Sequence, residues 1–241
     1  MINESDYPYI DVSYKGKDYR FSCAVGDRLK SIRIVADEVF LDHSYVNGRC
    51  QINPGDSVLD GGAHIGMFTV FALLNGAKLV IAVEPNPTLF PILQHNVEKN
   101  VGIDKVIFFN NALWDCKRSR RNRLRFLCKR GNSQAGHVVE NQKHNLWVRG
   151  LTIDSIRRKL GAIDFIKLDV EACERQALLG AVKTIKRNKP NLAVCLYHNR
   201  GDIVEIPNFI ESLRQGYDKP FIFGNHFKVG LWGKPNGGVP A

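Results

Sequence analysis

The chain has 241 residues, of which 44% are hydrophobic, and its 34 lysines and arginines exceed its 24 aspartates and glutamates by 10. This length and apolar content exclude a disordered chain and predict one main domain with a small appendage. No apolar stretch approaches the roughly 20 residues that a membrane-spanning helix needs, and the first residues lack the basic-then-apolar order of a secretory signal. We therefore expect a cytoplasmic protein with no membrane span.

The first part of the chain, residues 1–50, predicts a small N-terminal cap. Two short apolar runs, 10–14 and 19–23, flank a glycine-containing turn as the strands of a hairpin, and a helical pattern covers 29–41. In residues 51–241, apolar strand runs alternate with amphipathic helices, which predicts a main domain with a parallel sheet covered on both faces.

The main domain contains five runs that are typical of buried parallel strands. The predicted strands are 58–60, 79–84, 106–110, 163–169 and 192–197. The predicted helices are 87–100, 153–160 with Thr152 as its cap, 173–187 and 207–215. Two further runs, 220–223 and 227–232, predict a closing hairpin, and a basic insertion at about 115–150 interrupts the alternation.

A glycine loop follows the first strand of the main domain. Residues 60–66 run into an apolar helix, and they contain the glycines Gly61, Gly62 and Gly66. These glycines let the backbone approach a ligand that any Cβ would exclude, and a helix beginning near His64 would offer unpaired N–H groups. Glu84 ends the next strand, where a carboxylate can bind both hydroxyls of a ribose. Together these features predict a nucleotide-cofactor site.

The loop favours S-adenosylmethionine over a dinucleotide. A dinucleotide fingerprint needs a middle glycine, and counting back from Gly66 places Ala63 there. Asp60 would repel a phosphate but would attract the ammonium group of an amino-acid-bearing cofactor, directly or through water. A nicotinamide enzyme stays open as the alternative, because Glu84 would bind its ribose in the same way.

Polar residues stand at the carboxyl ends of all five predicted strands. They are Asp60, Glu84, Asn111, Asp169 with Glu171, and His198. Ligands of open parallel sheets bind beyond these ends, although each residue alone could equally cap a helix or satisfy a local hydrogen bond. His198 is our candidate for the base that removes a proton at neutral pH, because an unperturbed histidine has a pKa near 6.5.

Asp169 is the alternative base, and Lys167 lies on the same face of the strand two residues earlier. Lys167 would either pair with Asp169, as a catalytic or a purely structural pair, or lower the pKa of an acceptor hydroxyl. Asp169 and Glu171 would suit a divalent metal ion, but two carboxylates without a third ligand do not define a site. The sequence therefore predicts no metal site, and Asp169 and Glu171 are the candidate ligands if a divalent ion binds.

Several motifs resemble those of the FkbM-type S-adenosylmethionine-dependent methyltransferases. The matching stretches are 58–66, 83–87, 111–113, 163–181 and 189–207, and the resemblance covers about 50–225. The chain departs from the usual pattern at Gly61, at His64 and at Ala172-Cys173, where the family has valine, asparagine and glycine-alanine. The last of these departures would narrow the acceptor site.

The resemblance implies a Rossmann-like class I methyltransferase fold, α/β with a mostly parallel seven-stranded sheet that ends in an antiparallel hairpin. It implies that Pro85 and Ala112 join Asp60, Gly61, Gly62, His64, Gly66, Glu84, Asn111 and Asp169 in cofactor binding. It also implies methyl transfer to a hydroxyl oxygen, commonly on a sugar or a secondary metabolite. Such a transfer needs mainly alignment of the acceptor and removal of one proton.

The basic insertion leaves the partner open. Its arginines include Arg118, Arg120, Arg121, Arg123 and Arg125. They would either protect a strand edge as a solvated surface or contact the phosphates of RNA, with tryptophans nearby for stacking. The alternatives to a small-molecule or glycan acceptor are therefore an RNA methyltransferase and a non-catalytic nucleic-acid-binding protein on the same fold.

Overall fold

The computed structural model describes residues 4–115, 123–129, 132–139, 146–224 and 228–234. The strands are β1 (Tyr9–Tyr14), β2 (Lys17–Ser22), β3 (Ser57–Gly61), β4 (Leu79–Val83), β5 (Val106–Phe109), β6 (Ala112–Leu113), β7 (Arg123–Lys129), β8 (Asn132–Val139), β9 (Leu146–Leu151), β10 (Phe165–Leu168), β11 (Asn191–Cys195), β12 (Phe221–Phe223) and β13 (Val229–Trp232). The helices are α1 (Leu29–Phe40), α2 (Met67–Leu74), α3 (Leu89–Val101), α4 (Ile153–Leu160), α5 (Glu174–Leu179), α6 (Val182–Asn188) and α7 (Asp202–Ser212). A 3₁₀ turn at Glu4–Asp6 precedes them.

The central sheet has seven strands in the order β12-β13-β11-β10-β3-β4-β5. The neighbours from β11 to β5 pair in parallel, whereas β13 is antiparallel to both β11 and β12. This arrangement confirms the predicted α/β sheet and its closing hairpin. The strand order reverses between β3 and β10, so the segments that follow these two strands lead to opposite sides of the sheet, which leaves a crevice that suits a ligand.

Both faces of the sheet are covered, as the apolar strand runs predict. One face packs against α1, α2 and α3 and the other against α4 to α7, and all residues of β3, β10 and β11 are buried. The β1–β2 hairpin shares the core of α1 to α3, because Phe21 and Phe40 pack in the same cluster as Phe68 and Phe165. Within the described ranges, none of the helices is long and apolar enough to cross a membrane.

The insertion forms a second sheet of four strands, in the order β6-β9-β7-β8. Its side chains alternate, with Leu124 and Phe126 buried and Arg123 and Arg125 exposed. The other three arginines of the predicted basic surface, Arg118, Arg120 and Arg121, lie outside the described residues.

Three helices differ from the prediction by more than two residues. The helix after the glycine loop begins at Met67 rather than near His64, because His64 has a φ of 52° and Gly66 a φ of 93°, which are outside the helical range. The helix predicted over 173–187 is two helices, since the Gly180 carbonyl accepts a hydrogen bond from the Asp154 N–H.

The last predicted helix, 207–215, begins five residues earlier than expected, at Asp202, and contains Pro207 in its interior. The Asp202 carboxylate accepts the backbone N–H of Asn199, which fixes this earlier start. The predicted cap of α4 is confirmed, because the Thr152 hydroxyl accepts the Ser155 N–H at 3.1 Å.

Candidate active site

A cavity of about 410 Å³ opens beyond the carboxyl ends of β3, β4, β10 and β11. Its volume is within the range of small-molecule and cofactor pockets, roughly 300–1,000 Å³. Nine of the residues predicted from the sequence line it: Gly62, His64, Glu84, Pro85, Asn111, Ala112, Asp169, Glu171 and His198. The carboxyl ends of the parallel strands therefore bring together residues that are more than 130 positions apart in the chain.

Four of the predicted residues lie beside or beneath this cavity rather than on its wall: Asp60, Gly61, Gly66 and Lys167. Lys167 pairs with Asp60 at 3.1 Å, in register across β3 and β10, and both side chains are almost completely buried. Its ammonium group also donates to the carbonyl oxygens of Gly61 and Gly62, at 3.3 and 2.8 Å. The expected ion pair between Lys167 and Asp169 is therefore replaced by a pair with Asp60 that holds the glycine loop.

Gly62 is the position in the loop where a side chain is excluded most strictly. Its φ is +74°, and an added Cβ would lie 1.8 Å from the carbonyl oxygen of Asp169. The N–H groups of Gly62 and Ala63 donate to the Val83 carbonyl, at 3.0 and 3.1 Å. The loop is thus fixed between the ends of β4 and β10, with its backbone facing the cavity.

Glu84 sits at the cavity wall with its carboxylate held by two backbone groups. One oxygen accepts the His64 N–H at 2.9 Å and the other accepts the Asn86 N–H at 2.8 Å. Burial raises the pKa of Glu84 to about 7, although these two hydrogen bonds oppose that shift. Burial also lowers the pKa of the neighbouring His64 to about 4, so this imidazole is neutral at physiological pH.

Beside Glu84, a second cluster of charge gathers at the ends of β10 and β11. His198 Nε2 lies 3.6 Å from Asp169 Oδ1 and 3.7 Å from Glu171 Oε2, while His198 Nδ1 lies 2.8 Å from Glu174 Oε1. Glu171 and Ala172 both have left-handed φ angles, 53° and 69°. This turn brings two carboxylates from one strand end into the same part of the cavity.

The methyltransferase FkbM domain matches residues 60–219, which is more than half of the chain. The chain belongs to the FkbM methyltransferase domain family. It is 28% identical over 171 residues to the 31-O-demethyl-FK506 methyltransferase FkbM of Streptomyces tacrolimicus, a match that covers 59% of this chain and 66% of that protein. The chain thus spans slightly less than two thirds of that relative's length.

Two solved structures share the fold of this FkbM-family chain. Methyltransferase FkbM from Methylobacillus flagellatus has a TM-score of 0.58 and 22% identity, over 76% of this chain and 44% of that one. An rRNA methylase from Streptococcus thermophilus has a TM-score of 0.51 and 12% identity, over 82% of this chain and 96% of that one. At these identities the two structures support the class I methyltransferase fold alone.

The carboxylates around His198 change the pKa that the sequence analysis assumes for it as a base. Burial alone would lower the pKa of His198, but the hydrogen bond to Glu174 and the charges of Asp169 and Glu171 raise it to about 9. The assumed unperturbed pKa near 6.5 is therefore wrong, and the His198 ring is positively charged at neutral pH.

Asp169 and Glu171 differ in their pKa values although they face the same imidazole. Burial opposes ionisation of Asp169, but the charges of Lys167 and His198 and the hydrogen bond from Tyr45 hold its pKa below the usual value. Burial raises the pKa of Glu171 to about 7, against the charge of His198.

The N-terminal cap supplies one wall that the sequence argument missed. Ser31, Ile34, Val35 and Glu38 line the cavity at the spacing of one face of α1. The Tyr45 hydroxyl donates to Asp169 Oδ2 at 2.8 Å. The sequence shows that Ile34 and Val35 lie between Ser31 and Glu38 at helical spacing. It does not indicate that this face of α1 packs against the main domain.

The insertion supplies the opposite wall with the inner face of its sheet. Phe126, Gly136 and Val138 line the cavity, next to Asn86. On the outer face, the guanidinium carbons of Arg123 and Arg125 lie 5.4 and 5.8 Å from the ring centre of Trp147. One sheet therefore faces the cavity with apolar side chains and faces the solvent with cationic and aromatic ones.

Proposed function

We propose that the chain is an S-adenosylmethionine-dependent O-methyltransferase that methylates a hydroxyl of a sugar, glycan or secondary metabolite. The observation that carries this proposal is the single cavity that joins Glu84, at the end of β4, to the Asp169, Glu171 and His198 cluster at the ends of β10 and β11. It offers a carboxylate for a ribose on one side and polar groups for an acceptor on the other.

The cofactor would lie along the backbone of the glycine loop. Glu84 would accept the ribose hydroxyls, because it lines the cavity and the N–H groups of His64 and Asn86 hold its carboxylate in place. The adenine of the cofactor would lie beside Pro85, which follows β4, and beside Asn111 and Ala112, which follow β5. Asp60 would act through the loop, since its carboxylate is buried and paired with Lys167. Lys167 is then a positioning residue.

When bound, S-adenosylmethionine would supply a methyl group on a sulfonium and would leave as S-adenosylhomocysteine, with the electron pair of the broken C–S bond on sulfur. The acceptor oxygen would form the new C–O bond, and its proton would pass to the Asp169 carboxylate and on to solvent. The sulfonium is already activated, so alignment and proton removal remain for the protein. We propose that His198 and Asp169 contact the acceptor hydroxyl, because both face the cavity from neighbouring strand ends.

The charge of the cavity favours an uncharged acceptor over RNA. The described lining residues include four acidic side chains, those of Glu38, Glu84, Asp169 and Glu171, against the one cationic ring of His198, and neither a lysine nor an arginine is among them. A phosphate would be repelled at such a wall, which weighs against both a polynucleotide acceptor and the pyrophosphate of a nicotinamide cofactor. The arginines Arg123 and Arg125 lie on the outer face of the insertion, away from this wall.

The proposal is tested by calorimetric titration with S-adenosylhomocysteine, with NAD as the comparison. We expect micromolar binding of S-adenosylhomocysteine, and a loss of roughly 2–4 kcal/mol in Glu84→Ala, which removes two charge-assisted hydrogen bonds. Glu98→Ala, at an exposed carboxylate on α3, is the matched control and should bind as the wild type does. Binding of NAD instead, or equal binding by Glu84→Ala, would contradict the proposed pocket.

Once S-adenosylhomocysteine binding is shown, the acceptor can be sought with labelled S-adenosylmethionine. Transfer to glycans or hydroxylated secondary metabolites would support the proposed acceptor class. Transfer to RNA alone would instead establish the alternative.

A further inference from the structure

We propose that Asp169, Glu171 and His198 bind a divalent metal ion in the cavity. Each residue offers one donor atom, and the three atoms lie within 4.8 Å of one another. The sequence offered two carboxylates without a third ligand, and the fold adds His198 from the neighbouring strand end. The proposed use of the ion in methyl transfer rests on the proposed function, but its binding does not.

The distances fit three ligands of one ion better than a hydrogen-bonded cluster. His198 Nε2 is 3.6 Å from Asp169 Oδ1 and 3.7 Å from Glu171 Oε2, which is longer than a normal N–H···O hydrogen bond. Ligands at about 2.1 Å from a shared ion, in tetrahedral to octahedral geometry, are about 3.0–3.5 Å apart. A few tenths of an ångström of movement would bring His198 Nε2 to this spacing from each carboxylate, and the two carboxylate donors lie within 4.8 Å of each other.

The other nitrogen of His198 is fixed as in many metal-binding histidines. Nδ1 lies 2.8 Å from Oε1 of Glu174, whose side chain is fully buried and also accepts the Val170 N–H at 2.9 Å. A carboxylate in this position holds the ring orientation and selects the tautomer with its proton on Nδ1. Metal binding would displace the proton from Nε2. This nitrogen lies beside Asp169 and Glu171, and only 9% of the His198 side chain is exposed.

The donor set points to a class of ion and to a role. One imidazole nitrogen and two carboxylate oxygens suit Mn²⁺ or a similar first-row divalent ion, and the open side of the cluster faces the cavity. An acceptor hydroxyl bound there would lose its proton more readily, because the ion stabilises the alkoxide. The alkoxide oxygen would then attack the methyl carbon, and the proton would leave to solvent.

The test is titration of the full chain with Mn²⁺, followed by electron paramagnetic resonance of the free ion. We expect one site per chain, with affinity at least tenfold lower in Glu171→Gln and His198→Ala. Glu174→Gln should weaken binding about 10- to 100-fold, as loss of an orienting carboxylate does. Glu98→Gln, an exposed carboxylate far along the chain from the cluster, is the matched control and should keep wild-type affinity.

Calorimetry with S-adenosylhomocysteine on the same variants separates this proposal from the proposed function, and circular dichroism shows that each variant is folded. Variant-sensitive Mn²⁺ binding without S-adenosylhomocysteine binding would support the metal site and overturn the methyltransferase pocket. S-adenosylhomocysteine binding with no Mn²⁺ binding at millimolar concentration, or with equal Mn²⁺ affinity in all variants, would overturn the metal site alone.

Discussion

Two charged clusters meet near the carboxyl end of β10. One is a buried ion pair, and the other faces the cavity. Asp60 and Lys167 are one acid and one base in register inside the sheet, buried and paired. Asp169, Glu171 and His198 follow just past the strand ends, face the cavity and have an excess of carboxylates. A shift of two residues along β10 therefore separates a group that holds the loop from groups available to a ligand.

Breaking the buried pair of Asp60 and Lys167 should lower the free energy of unfolding the most. Lys167→Met leaves the Asp60 carboxylate without its counter-charge in the core, and we expect the free energy of unfolding to fall by about 3–5 kcal/mol. Urea unfolding monitored by circular dichroism measures this change. Lys30→Met, at an exposed lysine of α1, is the control. A similar small loss in both variants would show that the pair is not needed to hold the loop.

The contact between the loop and the end of β10 can be isolated with two glycines. Gly62→Ala and Gly16→Ala both place alanine at a φ near +75°, but only at Gly62 does the new Cβ meet backbone, at 1.8 Å. We expect Gly62→Ala to cost about 1–3 kcal/mol more, because overpacking adds to the shared φ strain. Unfolding of the two variants under the same conditions gives the difference, and equal losses would refute the close contact.

The carboxylate of Glu84 at the cavity wall predicts that cofactor binding depends on pH. Burial raises the pKa of Glu84 to about 7, and only the ionised carboxylate accepts both ribose hydroxyls. Affinity for S-adenosylhomocysteine should therefore be nearly full at pH 8 and above and fall about tenfold from pH 8 to pH 6 as Glu84 is protonated. Calorimetry across this range provides the measurement. Glu84→Gln should be flat, and an equal slope in that variant would assign the effect to another group.

The smallest effect is expected on the outer face of the insertion. The double substitution Arg123→Ser and Arg125→Ser removes two exposed charges, and we expect stability within about 0.5 kcal/mol of wild type and unchanged transfer to an uncharged acceptor. Methyl-transfer kinetics measure the effect of the double substitution on transfer. A large rise in KM that is reproduced by added salt would instead indicate an anionic partner.

The sequence predicted the central sheet well because its strands are continuous apolar runs that end in polar residues. It also predicted that Glu84, Asp169 and His198 meet, since parallel strands end at one edge. It did not predict the partner of Lys167, because strand register decides between Asp60 and Asp169. It did not predict the α1 wall or the pKa of His198, which depend on how distant segments pack around the cavity.

The hydrogen bond from Tyr45 to Asp169 has a consequence for the order in which the protein folds. It joins residues 124 positions apart, and the buried Asn96 side chain joins Ser22 to Ile65 in the same region. Residues 4–45 leave the ribosome before β10 does, and they must wait for it before they can close the site. Contacts of such long range slow folding. A chain interrupted before residue 169 would have made the whole N-terminal cap and yet have no site to close.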